Sequence, residues 1–380
     1  MNFSFSEDQV LLKSSVHAAL DEQCKPAHVR AMMEDATGYS EALWGEMAKL
    51  GWLGLPFAEE QGGAGLGLVE LCLVLEEMGR AAYPGPYFAS VVLGGLGLQL
   101  GGSAAQKERW LPAIASGQAR ASAALLEDTL DWDPASTTAT ATKAGDGWRL
   151  SGVKRFVPWA HVADVVLVPA RGPEGVSLFL VDPRAGGVTL TPMVGIDLAN
   201  RWSEMRLGDV AVPADALVGQ AGGGGSVLEA LLRRAAVGAS AEMLGAARRC
   251  LDMSVGYVKV REQFGQLIGS FQAIRHRCAE MLLEVENSHS AVYYAAWALT
   301  AGAEDAAMAA SVCKSYVSES VRKVCGDAIQ VHGGIGFTWE YDLHLYFKRA
   351  KALEPLYGDA AHHRELIVRA VTRSGSGLTL

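Results

Sequence analysis

The sequence predicts an α+β chain in three parts: an all-α N-terminal domain, a middle β domain of barrel or sandwich type, and a C-terminal helical bundle. Three observations predict it. Apolar residues recur at helical spacing up to about residue 118. From Ala119 to Val218 short β-branched runs alternate with turn residues: STTATAT, GWRLSG, ADVVLVPA, GVSLFLVD, GVTLTPM and RWSEMRLGDVAV. A succession of short strands like this builds a barrel or sandwich. After the glycine-rich QAGGGGS of Gln220–Ser226, helical periodicity returns and continues to about Ala370. The domains on this reading are 1–118, 119–219 and 220–380.

At 380 residues the chain has room for two or three domains. Hydrophobic residues make up 50% and charged ones 20%, the balance of a soluble globular protein. A net charge of -9 argues against a nucleic-acid footprint. No run of about 18 uncharged apolar residues occurs, so no membrane span is expected. The start, MNFSFSEDQV, lacks the basic-then-apolar pattern of a signal peptide. Cys24, Cys72, Cys250, Cys278, Cys313 and Cys325 are scattered, with no CxxC pair. Most sit in apolar helical patterns and read as small buried hydrophobes of a reducing cytoplasm. No cluster has metal-ligand spacing, and the adjacent His362 and His363 cannot share one helix face.

In chain order, Ser6-Glu7-Asp8 opens the first helix, its acids favouring the N-terminus. A second helix is expected from about Ser40 to Leu50. Gly62, Gly63, Gly65 and Gly67 follow, but no Lys-Ser/Thr comes after them and no strand clearly precedes them. They read as a tight connection into a helix at Val69–Arg80 rather than a phosphate loop. Gln106–Pro112 begins another helix, ending near Gly117. Gly145-Asp146-Gly147 is a hairpin signal. In the last third, Leu228, Leu231, Leu232, Leu244, Leu251 and Val255 mark buried helix faces. Several wide apolar faces there suggest subunit association.

Two stretches carry chemistry. Tyr257–His276, YVKVREQFGQLIGSFQAIRH, reads as the end of one helix, a break at Gly265 and Gly269, and the start of another. The break gathers Arg261, Gln263, Phe264, Phe271 and Gln272: a fixed cation, amide donors and aromatic faces that suit a pyrophosphate and an adenine ring. On chemistry alone, a helix–turn–helix corner with a surface arginine explains them as well. Gln330–Gly336, QVHGGIG, places three glycines in four positions, where backbone can approach a ligand closely. A helix C-terminus with a tight turn explains that equally.

R-x-x-F-G-x-x-I-x-x-F-Q at Arg261–Gln272, followed by His276, together with the Q-x-x-G-G-x-G segment, resembles the acyl-CoA dehydrogenase flavoprotein family. The order of domains matches that family's fold, with its C-terminal four-helix bundle, over nearly the whole chain. The resemblance implies FAD as cofactor, with Arg261, Glu262, Gln263, Phe264, Phe271, Gln272, Gln330, Val331, His332, Gly333 and Gly334 contacting its ADP half across a subunit boundary. It also implies α,β-dehydrogenation of an acyl-CoA thioester, with electron-transfer flavoprotein as electron acceptor. In that reaction a carboxylate removes the α-proton and the flavin takes the β-hydride.

The chain departs from the family at the flavin ring and the base. Where most members carry the glutamate of Y-E-G-T, this chain reads Leu356-Tyr357-Gly358-Asp359, with Tyr357 at the glutamate position. A phenol with a pKa of about 10 replaces a carboxylate poorly. Asp359 and Glu242 are the weak candidates for a base. The family's second base position falls at about Ala235. The segment T-E-P-x-x-G-S-D reads Leu126–Pro134 here, without glycine. Its Glu127, Asp128, Asp131 and Asp133 are expected to repel a flavin phosphate. In K-x-W-I-T-N-G, Phe156 keeps an aromatic wall, but Pro158 replaces the threonine and offers neither hydroxyl nor N–H.

These losses concern the chain's own flavin ring, whereas the groups reaching a neighbour's FAD are kept. The expectation is a base-deficient subunit paired with a complete paralogous acyl-CoA dehydrogenase chain as α2β2. The resemblance implies this arrangement, since some members of the family that act on sterol side-chain or other bulky CoA esters are built this way. The tail HLYFKRAKALEPLYGDAAHHRELI resembles theirs, with Arg349 where R-D-A-K carries aspartate. Other readings are a self-sufficient homo-oligomer with a relocated base, a non-catalytic acyl-CoA-binding scaffold, and a relative using flavin for oxygen or nitro chemistry.

Overall fold

The computed structural model describes residues 4–373. Helix α1 (Glu7–Gln23) starts on a reciprocal cap: Ser6 Oγ accepts from the Gln9 amide at 3.2 Å, and Gln9 Oε1 accepts from the Ser6 amide at 2.9 Å. Helices α2 (Pro26–Glu34) and α3 (Glu41–Lys49) follow, α3 capped by Ser40. Sequence periodicity did not reveal α2. The glycine segment is a tight connection, since a Cβ at Gly63 would overlap the Phe57 carbonyl. It feeds α4 (Leu68–Arg80), one residue earlier than expected. A π-helical run, Phe88–Gly95, continues into α5 (Leu96–Gly101), and α6 (Ala104–Ala115) follows.

The strands are β1 (Ala121–Ala123), β2 (Thr140–Ala144), β3 (Gly147–Pro158), β4 (Val165–Gly172), β5 (Gly175–Val181), β6 (Val188–Met193), β7 (Trp202–Val212) and β8 (Leu217–Val218). They form one sheet in the order β6-β7-β3-β2-β4-β5-β8, with β1 parallel to β4. The Gly145-Asp146 hairpin joins β2 to β3 as the dipeptide predicts. The STTATAT run is strand only from Thr140: Ser136 closes the 3-10 turn Pro134–Ser136, and the Thr138 and Ala139 amides donate to the Glu127 carboxylate. Leu150, Val157, Val166, Phe179 and Met205 are fully buried in the domain core.

Helix α7 (Gly224–Val258) begins inside the glycine-rich run, so the expected flexible return is shorter than read. A Cβ at Gly224 would lie 2.9 Å from the Val176 carbonyl, which explains the glycine. Two short strands, β9 (Glu262–Gln263) and β10 (Gln266–Leu267), precede α8 (Gln272–Ala301), α9 (Ala306–His332), α10 (Leu343–Leu353) and α11 (Ala360–Arg373).

The chain divides into two compact units, and the division falls within α7. One unit runs up to Arg30, then Gly67–Tyr83, then from Ala236 onward; the other is Ala31–Leu66 with Pro84–Ala235. In the first unit α4 and α7 touch backbone to backbone. A Cβ at Gly79 would overlap the Glu242 carbonyl, and one at Gly245 the Glu76 carbonyl. The second unit holds the sheet with α3, α5 and α6. Among the described residues no helix is long and apolar enough to cross a membrane, and no His/Cys/carboxylate group is arranged to hold a metal. All six cysteines are free thiols, buried except for half-buried Cys278.

Candidate cofactor and active site

In the unit containing the C-terminal helices, the two glycine-bearing segments come together. Helix α7 ends at Val258, and Val258, Ile268 and Val331 form one buried cluster with Tyr257 and Phe271 against it. The Tyr257 ring stacks on His332, centroids 4.4 Å apart. The corner is more than a turn. β9 and β10 pair antiparallel across Phe264-Gly265, both at positive φ (54° and 75°), the signature of a type I′ hairpin. A phenylalanine in that conformation is strained. It projects the Phe264 ring 92% into solvent, edge-on to Phe271 at 6.1 Å. Arg261, Glu262, Gln263 and Gln272 are exposed beside it.

In the second segment, Gln330, Gly333 and Gly334 are exposed, while the Val331 and His332 side chains turn into the core. Val331 and His332 therefore offer a ligand only their backbone. Gly333 adopts φ 65°, ψ -140°, a region open essentially to glycine. A Cβ at Gly333 or Gly334 would meet nothing within 4 Å, so their outer faces are open to close approach. Exposed arginine, amides, an aromatic edge and bare glycine backbone fit the nucleotide half of FAD.

The base position lies in the same unit. Tyr357 is 5% exposed and left-handed at φ 60°. Burial, and then the charge of Glu242, push its phenol above the usual range. Its carbonyl accepts from His363 Nε2 at 2.9 Å, and His363 Nδ1 lies 3.3 Å from Ser311 Oγ. The bonding partners give His363 a proton on Nε2 and leave Nδ1 to accept. Burial, helped by the Lys314 ammonium, pulls the imidazole down to about 4. The folded chain thus binds fewer protons here than the unfolded chain between about pH 4 and the ordinary histidine value of about 6.5. Stability should rise across that window, and His363→Asn should flatten the rise in a thermal-melt series.

Asp359 is exposed and caps α11, its Oδ1 accepting from the His362 amide at 2.8 Å. Glu242, on α7, is buried with its Oε2 3.9 Å from Arg349 Nη1. Ala235 lies fully buried on the same helix.

The ring-side residues lie in the other unit. Phe156 sits at a bulge in β3 with φ 50° and is 37% exposed. Pro158 ends β3, and its carbonyl accepts from Ser122 Oγ at 2.5 Å. The expectation that four carboxylates repel a phosphate needs correction. Glu127 is buried, takes the Lys154 ammonium at 2.5 Å, and accepts from the Thr138 and Ala139 amides. Burial raises its carboxyl, but Lys154 and these donors bring it below the ordinary range. Asp128 pairs with Arg155 Nε at 2.6 Å. Asp131 and Asp133 accept from backbone amides two residues ahead, at 2.9 and 2.8 Å, and build the loop in place of the missing glycine. Two of the four charges are neutralised and two shape turns.

Sequence reasoning missed the Glu127–Lys154 pair and the grip of His363 on Tyr357. Lys154 stood in the quoted K-x-W segment, yet its partner is 27 positions away. Nothing local signals it.

Three family models match: the acyl-CoA dehydrogenase N-terminal domain at residues 6–118, the middle domain at 123–210 and the C-terminal domain at 222–372. A probable acyl-CoA dehydrogenase of Bacillus subtilis, YngJ, is 32% identical over 98% of this chain and 100% of its own. A solved structure described as a Tcur3481-Tcur3483 steroid ACAD variant superposes with a TM-score of 0.89 at 32% identity, covering 98% of this chain and 99% of that one. The ChsE4-ChsE5 complex from Mycobacterium tuberculosis contains a chain superposing with a TM-score of 0.90 at 29% identity, with the same coverage.

Proposed function

The chain belongs to the acyl-CoA dehydrogenase family, whose members are FAD-dependent oxidoreductases, and from that premise we propose that it is the base-deficient subunit of a heteromeric enzyme. Its partner is a paralogous chain carrying the complete site, in an α2β2 assembly. This chain lends Arg261, Glu262, Gln263, Phe264, Phe271, Gln272 and the backbone of Gln330–Gly334 to the nucleotide end of FAD seated on that partner. When bound, FAD supplies the acceptor for the hydride leaving the acyl-CoA thioester. The substrate class is a bulky lipid or steroid CoA ester in a β-oxidation sequence, with electron-transfer flavoprotein as acceptor and the cytoplasm as location. The steroid description and the two-chain complex among similar structures support this reading. The domain limits 1–118, 119–219 and 220–380 belong to it too.

One observation carries the proposal. The nucleotide-side groups are exposed, whereas the base position holds a buried phenol and Pro158 stands where the ring needs a donor. Asp359 serves as a helix cap, which leaves Glu242 as the remaining base candidate. Its burial within electrostatic reach of Tyr357 favours a second reading, a self-sufficient homo-oligomer with Glu242 as base. The test is co-expression with an adjacent dehydrogenase-like gene and a flavin count by absorbance. One FAD per unlike pair is expected, with this chain colourless or weakly yellow alone. A bright yellow homo-oligomer that bleaches with acyl-CoA, and loses bleaching in Glu242→Gln, overturns the proposal for the second reading.

A further inference from the structure

We infer that Tyr257 and His332 are positioning residues, whose stacked rings lock the Arg261 corner and the Gly333 turn into one nucleotide-binding frame. The inference rests on the reading that these two segments hold the nucleotide half of FAD, and adds what keeps them in register. Each ring is tied to one segment. Tyr257 lies in the last turn of α7, and its carbonyl accepts from the Arg261 amide at 2.9 Å and the Val260 amide at 3.1 Å. The Arg261 carbonyl in turn accepts from the Ile268 amide at 2.8 Å. The backbone of Arg261 is therefore held on both sides, and one side leads directly to Tyr257.

His332 is the last residue of α9 and is 4% exposed. Its Nδ1 donates to the Ala328 carbonyl at 2.8 Å, one turn back, which fixes the ring's orientation. Burial holds its imidazole below the ordinary histidine range, so the ring stacks as a neutral group. The next residue is Gly333, whose amide is bonded to the Ile329 and Gln330 carbonyls. A Cβ at Gly336 would lie 2.8 Å from the Ile329 carbonyl oxygen and 3.1 Å from His332 Cβ, so the turn folds back over the histidine. A displaced ring would carry that turn with it. The two rings meet with centroids 4.4 Å and planes 25° apart, and Tyr341 adds a third ring 5.0 Å from His332. Ring stacking has a preferred geometry. The apolar contact of Val258, Ile268 and Val331 beside it draws the segments together without orienting them.

The test is a double-mutant cycle on FAD retention in the assembled protein, read by dialysis and absorbance. Tyr257→Leu should lower retention about tenfold, and Tyr257→Phe, which keeps the ring, should recover it. Tyr257→Leu/Arg261→Ala should retain within about twofold of Arg261→Ala alone, because an arginine already out of place has little left to lose. A merely structural role predicts instead that the two losses multiply. Multiplying losses, or undiminished retention in Tyr257→Leu, overturns the assignment. If Tyr257→Leu does not melt cooperatively, His332→Leu takes its place in the cycle with the same outcomes. Failure of both variants to fold makes the pair a part of the core alone and overturns the assignment as well. Failure of the nucleotide reading looks different: Arg261→Ala by itself would retain flavin as wild type does.

Discussion

Arg261→Ala should weaken FAD retention in the assembled protein by roughly 10- to 150-fold. A hydrogen bond from a charged group contributes about 1.5–3 kcal/mol, and a guanidinium meets a phosphate with two donors at once. Arg261 is exposed beside a short hairpin, so its loss should leave folding intact. Dialysis followed by absorbance reads the retained flavin. The difference between variant and wild type should shrink at high salt, since exposed charge pairs are screened. Arg261→Lys should recover only part of the retention, because an ammonium cannot reproduce the planar fork. Equal retention in all three proteins would remove this corner from the cofactor site.

Lys154→Met should destabilise the β domain by about 3–5 kcal/mol, the range for stripping one partner from a buried pair. Glu127 would keep its backbone donors but lose its cation. Glu127→Gln/Lys154→Met should recover much of the loss, since no buried charge then remains. The pH dependence has two limbs. Glu127 is held below the ordinary carboxylate range, so its contribution is present above an unfolded value of about 4.3 and disappears as pH falls through the folded one. Lys154 runs the other way. Burial, opposed by Glu127, pulls its ammonium down to about 8. Between there and an unfolded value of about 10.4 the unfolded chain binds the extra proton, so stability should rise. Urea midpoints across pH check both limbs, and Lys154→Met should remove the alkaline one.

What was legible in the sequence was local. The Ser6 cap, the Gly145-Asp146 hairpin and the tight turn into α4 each follow from a few neighbouring residues. The β domain announced itself through repeated short runs. Where the outcome depended on distant partners, the reading went astray. Glu127 looked like one acid among four until the sheet brought Lys154 to it. Arg349 looked like an isolated exchange until α7 supplied Glu242. The hairpin at Phe264 was missed for a different reason: a bulky residue in a left-handed turn contradicts the usual turn chemistry, so no propensity points to it. The two glycine-bearing segments were found as motifs, but their meeting through Val258, Ile268 and Val331 is a tertiary fact.

Helix α7 sets a limit on dissection. Its 35 residues straddle the line between the compact units. A fragment cut at that line would end mid-ladder and strand four carbonyls that the intact chain satisfies. Cloning boundaries drawn from compactness would therefore yield truncated, aggregation-prone pieces, and protease nicking should follow the connecting loops instead.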